Sequence, residues 1–274
     1  MKYDPIKNKF SSLLRNSPPL KILFFNLLRV LFLREWYIRR MIRKIFPKLK
    51  PKHILDAGMG FGQYSYFMSI NQPKAKIDSV DLNTEHINAF GEFCRRLNLP
   101  IAVSEADLTK YVNQNNYDFI LCVDVMEHIE DDRSVLKNFY ASMKSGGHLL
   151  ISTPSDQGGS DHDHDHDSDH GNKGTGFIDE HARDGYSVED MTEKLVSAGF
   201  KPEEIRYTYG TFGKWSWKLA IKFPILLLNS WMGFVVLLPF YYFITLVPIL
   251  ILHQLDTAVR WKTGTGLLVH ATKP

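Results

Sequence analysis

A stretch between residues 54 and 62 combines an apolar run, an acidic residue and three closely spaced glycines. Two aliphatic residues precede Asp56, and Gly58, Gly60 and Gly62 follow at alternate positions. Glycine allows a sharp turn and a close approach of backbone to a ligand that a Cβ would block. Such a loop after a first parallel strand binds nucleotide-like cofactors in open α/β sheets. The motif therefore predicts a cofactor site at this strand end.

Three further aspartates each lie at or just after the end of a later predicted strand, namely Asp81, Asp107 and Asp124. The carboxyl ends of parallel strands meet at one edge of a sheet, so we expect these carboxylates to lie near the glycine loop. A carboxylate accepts hydrogen bonds from both hydroxyls of a ribose, and it also suits an exocyclic amine. A cationic ligand is favoured by such an acidic rim, whereas a pyrophosphate prefers bare backbone amides.

Together these motifs resemble the class I S-adenosylmethionine-dependent methyltransferases, especially the small-molecule branch that includes the ubiquinone and menaquinone biosynthesis enzymes. The resemblance covers roughly residues 50–155 and 187–210 and the last strand, and it implies S-adenosyl-L-methionine as the cofactor. By this resemblance Asp81 holds the ribose hydroxyls and Asp107 the adenine amine. The predicted cofactor-binding residues are Asp56, Ala57, Gly58, Gly60, Gly62, Asp81, Leu82, Asp107, Leu108, Asp124 and Val125.

Two alternatives use the same kind of sheet. An NAD(P)-dependent enzyme shares the first loop and the acid at position 81, but its usual spacing is Gly-x-Gly-x-x-Gly. Here Phe61 separates Gly60 from Gly62, which does not fit that spacing. A non-catalytic adaptor on a methyltransferase scaffold is disfavoured because the acids and glycines of the motifs are intact.

The candidate catalytic residues are His128, His181 and Tyr186. His128 follows the fourth predicted strand within a Glu-His pair, and histidine can remove a proton near neutral pH. Its alternative role is to hold the loop or to bind Glu127. His181 and Tyr186, with Arg183, follow the fifth strand, where they could orient a phenol or carboxylate or simply lead into a helix. We expect no metal site, because the Asp/His alternation at 161–170 reads as a solvated loop with adventitious metal affinity.

The elements that must position these residues alternate between strand and helix, which predicts a parallel sheet with covered faces. The fold class is therefore α/β, a Rossmann-like doubly wound sheet with an antiparallel last strand. Patterns predict strands over 53–57, 76–82, 101–106, 117–124, 148–153, 201–209 and 265–272, and helices over 20–46, 62–71, 84–97, 130–144 and from Ser187 to about 199. Gly146 and Gly147 are expected to end the helix at 144.

Two additions flank this predicted methyltransferase domain of residues 51–210 and 264–274, whose segment 156–186 is expected to form a lid with a mobile acidic loop. Residues 1–50 form a basic, apolar helical segment, and 211–263 form an apolar insert that is free of charge from Phe223 to Leu252. A single membrane crossing would separate the last strand from its sheet, so we expect a hairpin, broken at Pro239 and Pro248, that enters and leaves one leaflet.

Charge supports the same interpretation of these additions. Residues 1–52 carry 14 Lys and Arg against 2 acidic residues, whereas residues 53–200 carry 11 against 25. A basic, apolar segment favours anionic lipid over nucleic acid. The sequence predicts an enzyme at the cytoplasmic face of the membrane that O-methylates a lipophilic small molecule such as a quinone or phenol. The alternative is a soluble methyltransferase whose insert forms a dimer interface or the roof of the pocket.

Overall fold

A seven-stranded sheet forms the centre of the protein. The computed structural model describes residues 17–158 and 182–274. The strands lie in the order β3-β2-β1-β4-β5-β7-β6, and β7 runs antiparallel to both of its neighbours. Their bounds are β1 His53–Ala57, β2 Lys76–Asp81, β3 Ile101–Glu105, β4 Tyr117–Val123, β5 Met143–Pro154, β6 Lys201–Thr208 and β7 Gly266–Thr272. This confirms the predicted Rossmann-like sheet with an antiparallel last strand.

Helices cover both faces of the sheet because its central strands are apolar on both sides, as parallel strands require. Every residue of β1 after His53 is buried, and so are most residues of β4. The helices of this domain are α1 Pro18–Leu31, α2 Leu33–Leu49, α3 Gln63–Asn71, α4 Thr84–Arg96, α5 Asp132–Ser142 and α6 Val188–Ser197. Three of these helices, α4, α5 and α6, are capped at the N-terminus by a side chain that accepts a backbone hydrogen bond, as Ser187 does from the amide of Asp190 at 3.0 Å.

The end of α5 differs from the prediction. The helix ends at Ser142, and Met143 already pairs with Tyr117 of β4. The register then shifts before His148, so Gly146, with φ +77°, lies in an irregular part of β5 and does not end a helix. The glycines allow a bulge in the strand, which the sequence pattern alone did not distinguish from a helix stop.

The basic N-terminal segment forms two helices where one was predicted over 20–46. The chain is extended at Phe32, with φ −101° and ψ 116°, and this residue separates α1 from α2. Helix α2 buries one face against the sheet, where its apolar side chains join β1 and β4 in one cluster with Ile54 and Phe119. Residues 33–49 therefore share a core with the sheet.

The insert between β6 and β7 is a helical hairpin. Its first arm comprises α7 Thr211–Trp217, a π-helical turn and α8 Phe223–Ser230, and its second arm is α9 Leu238–Ala258 after a short 3₁₀ segment. The chain reverses at Trp231, whose backbone is extended with φ −164° and ψ 122°. The predicted breaks are wrong, because Pro239 lies in the first turn of α9, where proline is tolerated, and Pro248 lies inside the helix.

Only the foot of the hairpin is packed into the protein. Asp256 near the end of α9 accepts hydrogen bonds from the hydroxyl of Tyr37 on α2 and from the amide of Gly213 on α7, both at 2.8 Å. Within the described residues, one segment, Gly233–Ala258, is long and apolar enough to cross a membrane. Only 6% of its most apolar 18-residue window is buried.

Candidate active site

The glycine loop joins β1 to α3 and is held against the ends of β2 and β4. The amides of Gly58 and Met59 both donate to the carbonyl of Val80, at 2.8 and 3.0 Å. A Cβ on Gly58 would lie 2.2 Å from Val125 Cγ2, so packing against the end of β4 requires glycine there. Gly60 also has a positive φ of +53°, but no atom lies within 4 Å of its Cβ position. The loop is therefore open to a ligand at Gly60.

Asp81 stands beside this opening at the end of β2. Its Oδ2 accepts from the amide of Gly60 and its Oδ1 from the amide of Asn83, both at 2.8 Å. These bonds fix the carboxylate, while each oxygen retains a second lone pair for another donor. Leu82, the next residue, is 64% exposed and offers an apolar surface beside it. The arrangement suits a ligand with two adjacent hydroxyls.

Asp56 lies beneath the loop and is buried. The hydroxyl of Ser65 on α3 donates to its Oδ2 at 2.5 Å, and that hydroxyl also bonds to Ser79 of β2 at 2.7 Å. Burial raises the pKa of Asp56 to about 7, and the hydrogen bonds from Ser65 oppose this shift. Asp56, predicted to bind the cofactor, thus contacts protein groups, and it positions the loop through α3.

The segment after β3 contains one partly exposed candidate residue, Asp107, and one buried candidate residue, Leu108. Asp107 Oδ1 accepts from the amide and hydroxyl of Thr109, at 3.0 and 2.7 Å, and Oδ2 lies 3.2 Å from Lys110 Nζ. The bonds from Thr109 hold the pKa of Asp107 below its usual range. Leu108 was predicted beside the cofactor, but its side chain is buried in the core cluster under the sheet. Asp107 remains a partly exposed acceptor at the sheet edge.

Asp124, at the end of β4, contacts a residue that the sequence reasoning had not assigned to the site. Its Oδ2 forms an ion pair with Arg34 Nη1 of α2, and its Oδ1 is buried without a hydrogen-bond partner among the described residues. Its backbone has φ +53°, and its amide donates to Ser152 of β5 at 2.8 Å. The interruption of an apolar helix by Arg34 was the available signal. The unpartnered oxygen calls for a further donor or cation.

In the 3₁₀ turn Met126–His128, Glu127 points into the protein and His128 points outward. Glu127 is buried, where its Oε2 accepts from the hydroxyl of Thr153 at 3.1 Å. The carbonyl of Glu127 also accepts from the amide of Ala182 at 2.9 Å, so this turn anchors the segment that returns toward α6. His128 is exposed on the side of the sheet where the strands end. His128 alone of the pair is accessible to a bound acceptor.

Tyr186 lies in the core, away from the opening. Its hydroxyl donates toward Asp132 Oδ2 and the carbonyl of Met126, at 2.9 and 3.0 Å. Burial and the Asp132 carboxylate raise its pKa well above the usual value. Arg183 and Lys194 also bind Asp132, so these residues form a structural cluster. The prediction that Tyr186 orients a substrate does not agree with this placement.

Two predictions concern residues outside the described part of the chain, namely the catalytic role of His181 and the Asp/His loop at 161–170. Within residues 17–158 and 182–274, no group of three or more His, Cys, Asp or Glu side chains could hold a metal ion.

Comparison with known proteins identifies the class that this sheet and loop define. Residues 33–205 match the model of a methyltransferase domain, and the chain belongs to that family. The ubiquinone biosynthesis O-methyltransferase of Coxiella burnetii (strain RSA 493 / Nine Mile phase I) is 32% identical over 108 residues, which are 38% of this chain and 44% of that protein. That of Photorhabdus laumondii is 26% identical over 104 residues, 37% of this chain and 42% of that protein. The matched region thus spans less than half the length of these curated relatives.

Solved structures share the fold at low identity. A putative sarcosine dimethylglycine methyltransferase from Galdieria sulphuraria superimposes with a TM-score of 0.55 at 16% identity, covering 87% of this chain and 83% of that one. Phosphoethanolamine N-methyltransferase 2 of Haemonchus contortus, in complex with S-adenosyl-L-methionine, has the same TM-score and identity over 81% of this chain and 49% of its own. The match to a methyltransferase domain rules out the NAD(P)-dependent alternative.

The sequence motifs predict S-adenosyl-L-methionine as the cofactor of this methyltransferase domain. The residues present fit this cofactor, because the loop is open at Gly60 and the buried Oδ1 of Asp124 has no hydrogen-bond partner in the part of the chain that the structure describes. We expect Asp81 to hold the ribose hydroxyls, Asp107 the adenine amine and Asp124 the amino group. When bound, the cofactor supplies a methyl group already activated on a sulfonium.

Proposed function

We propose that the enzyme O-methylates a lipophilic small molecule at the cytoplasmic surface of the membrane. The observation that carries this proposal is the bare apolar face of the hairpin. Phe243 is 87% exposed and Ile244 is 74% exposed, and Phe240, Val247 and Ile251 extend the same side of α9. Exposed apolar patches of this extent mark interaction with membranes or partner proteins.

The connection of the hairpin to the sheet supports one-leaflet insertion. The strand before the insert, β6, and the strand after it, β7, pair with each other. The hairpin therefore starts and ends beside the same sheet. This geometry favours a segment that enters and leaves the bilayer on one side. Lys214 and Lys218 precede the apolar run, and Arg260 and Lys262 follow it. Cytoplasmic flanks of membrane segments carry an excess of basic residues, so this pattern favours the cytoplasmic side for both ends of the hairpin.

An oxygen acceptor is supported by the names of the curated relatives. Those proteins are ubiquinone biosynthesis O-methyltransferases, and the match covers 44% and 42% of their lengths. A quinone precursor carries a phenolic hydroxyl and a long apolar tail. An acceptor of this class would place its tail along the hairpin and its hydroxyl at the sheet edge.

His128 is the candidate base for such an acceptor. A phenolic oxygen attacks a methyl group in line, and removing its proton makes it a stronger nucleophile. His128 is exposed at the end of β4, on the edge that holds Asp81 and Asp124. Positioning of the acceptor supplies much of the remaining rate enhancement, because the methyl group is already activated.

A labelled-methyl assay tests the proposal. Purified protein is incubated with methyl-labelled S-adenosylmethionine and a membrane lipid extract, and with the water-soluble fraction as the matched control. We expect label in the organic phase, on a product from which mild base does not release it, as an aryl ether requires. Label confined to the water-soluble fraction would contradict a lipophilic acceptor and would favour the alternative of a hairpin that forms a dimer interface.

A further inference from the structure

An open cleft of about 460 Å³ lies between the N-terminal helices and the foot of the hairpin. Arg29 near the end of α1, Arg39, Arg40 and Arg43 on α2, and Gln254 near the end of α9 line it. We call this feature the arginine cleft. Its volume falls within the range of small-ligand sites. It is separate from the cofactor edge, where α2 contributes Arg34.

The arginine cleft has a large excess of positive charge. Glu35 is the one acidic residue among those that line it, and it pairs with Arg39 at 2.6 Å in a buried contact. Arg40 bonds to the hydroxyl of Thr257 at 3.2 Å. Among the described residues, the guanidinium groups of Arg29 and Arg43 have no acidic partner. Two arginines are therefore available to an anion from solvent or membrane.

Two of the cleft arginines pack against an aromatic ring. The guanidinium carbons of Arg39 and Arg43 lie 4.2 and 5.4 Å from the ring centre of Phe67 on α3. These two residues stand four apart on α2, a spacing at which like charges repel. An anion between them would relieve that repulsion, and a guanidinium offers the paired donors that a phosphate accepts.

The arginine cleft lies beside the end of the apolar face of the hairpin. The exposed apolar side of α9 continues to Ile251 and Leu255, and Gln254 already lines the cleft. At a rise of about 1.5 Å per residue, Gln254 stands roughly 5 Å along the helix from Ile251. If the apolar face lies among acyl chains, the cleft lies at the level of the headgroups. Trp36, whose ring suits that level, also lines it.

We propose that the arginine cleft binds the phosphate of an anionic phospholipid headgroup and so fixes the enzyme on the membrane. This inference rests on the membrane association proposed above. Continuity with the apolar face favours a lipid phosphate over a free one, because the same bilayer would supply both ligands. The bound headgroup would also orient α2, the helix that carries Arg34 to Asp124.

Flotation of the full-length enzyme with vesicles tests the inference. One set contains phosphatidylcholine alone and the other phosphatidylcholine mixed with phosphatidylglycerol. The double variant Arg29→Gln/Arg43→Gln is compared with Lys74→Gln/Lys76→Gln, which removes the same charge from exposed positions at or just before the start of β2, outside the cleft and the flanks of the hairpin. We expect the cleft variant to lose about tenfold more partitioning onto the anionic vesicles than the control. Both variants should bind neutral vesicles like the parent.

The outcomes separate this inference from the proposal beneath it. Equal losses in the two variants, or no preference of the parent for anionic vesicles, would overturn the arginine cleft and leave membrane association standing. Failure of the parent to float with any vesicle would overturn membrane association itself. Release of the parent from anionic vesicles by inorganic phosphate, but not by chloride of equal ionic strength, would assign the cleft to a soluble phosphate and contradict the lipid assignment.

Discussion

At the residue scale, two carboxylates at adjacent strand ends have different environments and therefore different roles. Asp81 is held by two backbone amides and remains open to a ligand, whereas Asp56 is enclosed and bonded to Ser65. The sequence motif places both acids near the glycine loop. It does not show which of them is buried, since that depends on how α3 packs over β1.

Replacing Asp81 should strongly weaken cofactor binding. Asp81→Ala removes the acceptor for the ribose hydroxyls and leaves the amide of Gly60 without its partner. Two charge-assisted hydrogen bonds are worth about 3 kcal/mol together, so we expect affinity for S-adenosylhomocysteine to fall about 100-fold or more. Calorimetry measures this, with Glu85→Gln, an exposed acid on the next helix, as the control. Parent-like affinity in Asp81→Ala would refute the assignment.

The buried Asp56 should make stability depend on pH. Burial raises its pKa to about 7, above the unfolded value of about 3.9. The folded protein then holds a proton that the unfolded chain releases, so this contribution is present below about pH 4 and is lost as pH rises through 7. Asp56→Asn should gain stability relative to the parent over that window, by at most about 1.4 kcal/mol per pH unit. Urea unfolding at several pH values measures the difference, and a constant difference would contradict it.

His128 should affect the rate of transfer more than cofactor binding. If it removes the acceptor proton, His128→Gln lowers kcat by about 100-fold or more, while affinity for S-adenosylhomocysteine stays within about twofold. Steady-state kinetics and calorimetry measure these two quantities. A modest loss of rate, or a parallel loss of cofactor affinity, would reassign His128 to positioning the loop after β4.

At the scale of elements, the alternation of apolar runs predicted the sheet and its helices well because burial on both faces leaves a strong periodic signal. The errors occur where one residue decides between two local structures. Gly146 lies in a bulge of β5, and Phe32 separates the two N-terminal helices. The hairpin reverses direction at Trp231 and not at Pro239. Each outcome depends on tertiary contacts that a sequence window does not contain.

The site shows the same division between local motif and long-range contact. The glycine loop and Asp81 could be predicted because their spacing along the chain is part of their function. The ion pair between Arg34 and Asp124 could not be predicted, because the packing of α2 on the sheet brings the two residues together. Leu108 and Tyr186 were assigned to the site by their positions after strands, but their side chains point into the core.

The contact between α9 and the rest of the protein should depend on Asp256. Asp256→Ala leaves the buried amide of Gly213 without its acceptor and removes one partner of Tyr37. We expect a loss of about 2–3 kcal/mol in the free energy of unfolding. The exposed neighbour Gln254→Ala should change it by less than about 0.5 kcal/mol. Equal unfolding midpoints in urea for both variants would show that the foot of the hairpin does not depend on this residue.

At the scale of the whole molecule, charge and apolarity are separated in space. The catalytic region of the chain is acidic, the two ends are basic, and the hairpin presents a bare apolar face. Under the function proposed above, the acidic edge would favour the cationic cofactor and the basic flanks would favour an anionic membrane. The apolar side chains that the core does not bury would then face the acyl chains.

Under the proposed function, the exposed hairpin delivers a lipophilic acceptor to the methyltransferase site. The most direct test compares methyl transfer to a catechol with a long isoprenoid tail in vesicles and to the same catechol without a tail in solution. It uses the parent and the variant Phe243→Glu/Ile244→Glu, whose changed side chains are exposed and should not affect folding. We predict that the variant loses at least tenfold in rate on the tailed acceptor and keeps parent-like rates on the tailless one. Equal rates of parent and variant on the tailed acceptor would contradict the account.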